Sequence, residues 1–112
     1  MADLVPIAKE LNRLSQALRV AVAGFEDAIK EAADARTTYD TEYAKALLSQ
    51  TEGTVKEKEA EAVLIVKDLM RAARIAEAQR DAYKERIKAI QAVLSVQQSL
   101  LRHFEEANPS GF

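Results

Sequence analysis

Apolar residues recur through this chain at alternating spacings of three and four, and they do so for most of its length. In the first half the series is Leu4, Ile7, Leu11, Leu14, Leu18, Ala21, Phe25, Ala28, Ala32, Ala35 and Tyr39. In the second half it is Ala62, Val66, Leu69, Ala73, Ala76, Arg80, Tyr83, Ile87, Ile90, Leu94, Gln97, Leu101 and Phe104. That spacing is the a/d seam of a helix packed along its whole length. Strands would show a period of two and would need frequent turns. Turn-forming clusters are absent from both halves, and the 112 residues include three glycines and two prolines. An all-β or α/β fold is thereby excluded. Each helix is expected to run roughly 70–80 Å at about 1.5 Å per residue.

The seam fades at Ser49-Gln50-Thr51-Glu52-Gly53. A glycine there fits a left-handed C-cap. Thr54-Val55-Lys56-Glu57 reads as a capping box that starts the next helix. Pro6 suits a first helical turn, where its missing N–H leaves no bond unmade, and Asp3 is a candidate N-cap. Gly24 lies inside the pattern, where it costs about 1 kcal/mol relative to alanine and is expected to be tolerated. Asn108-Pro109-Ser110-Gly111 ends the second helix. The organisation read this way is one domain over 1–112, with helix one at about 4–50, a turn at 51–54, helix two at about 55–106 and a flexible tail at 107–112.

A short link makes the two helices antiparallel neighbours. Residues whose numbers add to about 105 then face each other. Leu4 meets Leu101, Leu11 meets Leu94, Leu18 meets Ile87, Ala32 meets Ala73, and Tyr39 meets Val66. The fold class expected is all-α: a long antiparallel two-helix hairpin, a coiled coil, that self-associates into a helical bundle. Self-association follows from a further apolar stripe on the second helix, Ile65, Ala72, Ile75, Ala82, Ala89, Val93, Val96 and Leu100, and from Val22, Ile29 and Tyr43 on the first. A helix that is apolar on more than one face is buried on more than one face. Ile65, Ile75, Val93, Val96 and Leu100 are the candidate oligomer interface, with a groove for another protein's helix as the alternative use.

Charge narrows the function further. Sixteen basic and eighteen acidic residues give a net charge of −2, against retention on nucleic acid by bulk charge. The charges are unevenly placed. Residues 26–62 carry ten acidic and five basic side chains, and residues 67–102 carry eight basic and four acidic. Lys67, Arg71 and Arg74 form one row, and Arg80, Lys84 and Lys88 another. Pairing with acidic residues of the first helix is the preferred account of these bases. The alternative is a shallow track for phosphates, with all six as candidate contacts and direct binding weak or nil. Arg80 stands in the seam itself, level with Glu26 and Asp27, and is expected to take a partner there or to extend outward along its aliphatic stem.

No cofactor, metal or catalytic constellation is expected. The chain has no cysteine and a single histidine, His103, which suits a helix C-terminus. Nucleotide-binding and hydrolase glycine motifs are absent. Without a leader-like N-terminus or an apolar run longer than Ala62–Val66, the expected location is cytoplasmic, off the membrane.

From Tyr43-Ala44 through Gly53-Thr54-Val55, Lys58-Glu59-Ala60-Glu61-Ala62 and Ala76–Ile90 to Gln98-Ser99-Leu100-Leu101-Arg102, the chain resembles small helical proteins of tailed bacteriophages. Those proteins are often encoded near recombination and replication genes. The resemblance covers about residues 39–102 and excludes the leucine-rich start. It implies a non-enzymatic accessory to DNA recombination or replication in the host cytoplasm, acting through a protein partner. A structural coiled-coil subunit of a virion, or a small inhibitor of a host enzyme, are the competing readings.

Overall fold

The structure, a computed structural model, describes residues 4–107. Asp3 and the segment 108–111 lie outside the described residues, as does most of the expected tail. Within them the chain is all-α: α1 spans Leu4–Ser49, α2 spans Val55–Ile65, and α3 spans Lys67–Ala107. Every described seam residue named above is buried or half-buried. The three-and-four spacing is therefore the inner face of these helices.

Two compact units divide the chain: one of residues 1–25 with 82–112, the other of residues 26–81. The 26–81 unit is a helical hairpin. Ala46, Ala62 and Val66 form its buried cluster, and Tyr39, Tyr43, Leu47 and Leu69 pack against it. Tyr39 thus packs against the cluster that holds Val66, its expected partner in the antiparallel register. Deeper along the hairpin, Ala32 and Ala73 are buried, Ala73 completely. Small side chains at such positions let two helix backbones approach closely. Tyr43 belongs to this packing and is half-buried. Of the apolar residues expected beside the seam of the first helix, Tyr43 is thus covered within the hairpin itself.

The link between α1 and α2 differs from the expected C-cap. The first helix ends at Ser49, four residues before Gly53. Its last carbonyls are satisfied locally instead: Gln50 N–H donates to Leu47 O at 3.2 Å, and the Ser49 hydroxyl donates to Ala46 O at 2.7 Å. Gly53 does adopt a left-handed backbone, φ +101°, but inside the connection. Thr54 caps α2 by accepting a bond from Glu57 N–H at 3.2 Å. The Glu57 carboxylate turns toward Gly53, where an added Cβ would stand 2.8 Å from Oε2. Gly53→Val is accordingly expected to cost roughly 1 kcal/mol or more, from the positive φ alone. Thr54→Ala is expected to cost about 1 kcal/mol through the lost cap. Denaturant unfolding of both variants checks these values, and melting like the parent would place the break elsewhere.

The second helix is not continuous. Val66 separates α2 from α3 with φ −105° and ψ 15°. Val66 N–H still reaches Ala62 O at 3.1 Å, and Met70 N–H reaches Val66 O at 3.0 Å. The ladder thus carries on around one residue in the bridge region. Val63, Ile65 and Val66 are β-branched and are the weakest helix formers of this stretch. Val66 is 3 % exposed, so its place in the core holds the deviation.

In the other unit, Leu14 and Ala21 are buried, and Gly24 receives the ring of Tyr83. A Cβ on Gly24 would overlap Tyr83 Cε1 and stand 2.7 Å from Cζ. Gly24 is therefore a hole for an aromatic knob, which the expectation of simple tolerance did not include.

Candidate interaction face

An ion pair and two aromatic rings define one face of the 26–81 hairpin. Arg36 donates from Nε to Glu77 Oε2 at 3.1 Å and from Nη2 to Oε1 at 2.7 Å, a two-pronged fork between α1 and α3. The same guanidinium lies 5.3 Å from the Tyr39 ring centroid and reaches Met70 Sδ at 4.0 Å. Tyr39 stacks on Tyr43 at 5.9 Å. The bond from Arg36 holds the Glu77 carboxyl below its ordinary range, against a smaller opposing effect of desolvation. A lowered carboxyl pKa stabilises the fold above the unfolded-state value and stops doing so as pH falls through the folded one. Glu77→Gln is expected to flatten the acid limb of the melting-temperature profile, and an unchanged limb would remove this pair from the account.

Sign is the surprise here. The bases of α3 are expected to pair with acids of the first helix, yet among the described residues the ion pair joining the helices runs from Arg36 of α1 to Glu77 of α3. Lys67, Arg71 and Arg74 are exposed and make no ion pair among the described residues. They line an open groove of about 620 Å³ together with Tyr39, Met70 and Ile75. Arg80 is half-buried and bonds its neighbour Asp81 at 3.0 Å, rather than Glu26 or Asp27. Lys88 is held by Glu85 at 3.3 Å, and Lys84 is exposed. Of the six candidate phosphate contacts, three converge on the groove, and two of the others are spoken for within their own helix.

All five candidate interface residues are exposed: Ile65, Ile75, Val93, Val96 and Leu100, with Val96 at 58 %. Val96 and Leu100 line a shallow depression with Ser95 and Ser99. His103 is exposed and sits edge-on to the Phe104 ring at 6.1 Å. Among the described residues, no helix is long and apolar enough to cross a membrane. No protein-family model, curated protein or solved structure matches the chain.

Sequence patterning located the outer apolar residues and the basic row. It missed the Arg36 fork, because a lone arginine one step off the seam carries no periodic signal. It also missed Tyr83 over Gly24, although a mid-helix glycine opposite an aromatic seam residue is a readable cue for close approach.

Proposed function

We propose that this chain is a non-enzymatic helical binding and scaffolding protein that self-associates and then presents an outer helix face to a protein partner. The observation that carries it is the exposure of large apolar side chains on the helices: Ile29, Ile65, Ile75, Val93, Val96 and Leu100. Their exposure costs on the order of 25 cal/mol per Å² left in water, which assembly would recover. Homo-oligomers are the commonest way to cover such a face. The phage resemblance supports placing the protein among accessories to DNA recombination or replication, in the host cytoplasm.

Light scattering at micromolar concentration tests the assembly. At least a dimer of the 12.4 kDa chain is expected, and a monomer at every concentration would sink the proposal. Charged replacements at Val93, Val96 and Leu100 should weaken assembly more than helicity. For nucleic acid, gel shifts at ~50 mM salt should show weak binding or none by the isolated protein. Tight, sequence-selective binding would shift the reading from a protein partner to DNA.

A further inference from the structure

We infer that one face of the 26–81 hairpin docks on the same face of a second copy, the hairpins pointing the same way, an arrangement that rests on the self-association proposed above. Each copy would lay the acidic edge of its α1 over the basic edge of the other's α3.

Helix geometry defines the two edges. At about 100° per residue, Glu26, Ile29, Ala33, Thr37 and Asp40 fall in one row, roughly a third of a turn from the seam of Ala28, Ala32 and Tyr39. Lys67, Arg71, Arg74 and Ala78 fall in a row further round α3, roughly two-fifths of a turn from its seam on the side of Met70. The two rows border the same face. Arg36 lies between the seam and the acidic row on α1, and Met70 and Glu77 lie between the seam and the basic row on α3. Arg36 bonds Glu77 and touches Met70, so these flanks meet.

Both edges are open. Glu26, Asp40, Lys67, Arg71 and Arg74 are exposed and make no ion pair among the described residues. Apolar surface runs beside them: Ile29 is 43 % exposed, and Val63 and Ile75 are each 51 % exposed, the latter two at the 620 Å³ groove. A charge row flanking exposed apolar residues is the composition of a helix–helix interface edge.

Symmetry then chooses the alignment. A face-to-face pair has its two-fold axis in the plane between the copies. An axis across the hairpins would place α1 on α1 and α3 on α3, with like charges together. An axis along their length places α1 on α3. It also keeps residues at their own level. Arg36 reaches Met70 across the hairpin, so facing residues here have numbers adding to about 106. Asp40 of one copy thus stands level with Lys67 of the other, and Thr37 with Met70 and Arg71. Glu26 stands level with Arg80 and Asp81.

Charge reversal in trans is the test. One variant carries Lys67→Glu with Arg71→Glu, and the other Thr37→Lys with Asp40→Lys. Each alone mismatches both edges of its dimer, and sedimentation velocity should show a dissociation constant raised at least tenfold. An equimolar mixture matches both edges, and should regain parental assembly in ~50 mM salt and lose it as salt rises. Circular dichroism confirms that each variant stays helical. If the parent assembles but either variant alone assembles equally well, or the mixture stays monomeric, this docking is overturned while self-association stands. A monomeric parent overturns both.

Discussion

Replacing Gly24 with leucine is expected to destabilise the protein by about 2 kcal/mol, against the direction helix propensity alone dictates. Glycine within a helix is about 1 kcal/mol worse than alanine, so on propensity any such replacement should stabilise. The ring of Tyr83 reverses the sign. It occupies the space where a side chain at Gly24 would start, with Cζ 2.7 Å from an ideal Cβ. Leucine must therefore expel the ring. Overpacking of this kind costs typically about 1–3 kcal/mol, and the half-buried ring loses contacts as well. Urea unfolding of a two-by-two set gives the decisive reading. In a Tyr83→Ala background, Gly24→Ala should stabilise by about 1 kcal/mol, because only propensity remains. If Gly24→Ala has the same effect with and without the tyrosine, the ring does not depend on the glycine.

Ala73→Leu is the second large expected effect, a loss of about 1–3 kcal/mol. Ala73 is fully buried in the 26–81 hairpin, in which Ala28 and Ala32 are buried as well. Three alanines leave no room for three further heavy atoms without moving a helix. Ala72→Leu, one residue away and exposed, is the control and should change stability by less than about 0.5 kcal/mol. Thermal unfolding of the two variants separates them, and equal melting would mean that the alanine contact is looser than its burial indicates.

The seam was readable because burial and helical period are the same fact seen twice. Leu14, Ala21, Ala28, Ala32, Ala62, Val66 and Ala73 all lie on the expected spacing, and all are buried. Thr54 was readable because capping is local chemistry, completed within three residues by Glu57 N–H. The candidate face was readable in part. Periodicity placed Ile75, Val93, Val96 and Leu100 outside the seam, and their exposure agrees. Grouping Lys67, Arg71 and Arg74 also followed from spacing, and the groove brings them together.

What the sequence determined by itself is everything repeated or local: helices, their inner faces, the left-handed glycine and the cap. Each is decided by contacts a few residues apart or by a pattern summed over many turns. Tertiary structure alone decided the features that rest on a single side chain meeting a distant one. Arg36 could have pointed to Asp40 on its own helix, yet Glu77, forty-one residues on, takes both prongs of its fork. Val66 could have continued its helix, yet burial among Ala46, Ala62 and the tyrosines holds it in the bridge region. Gly24 could have been a weak helical residue only, yet Tyr83 fills the space it leaves. Pairwise geometry of that kind has no period, and so it is visible only once the helices are side by side.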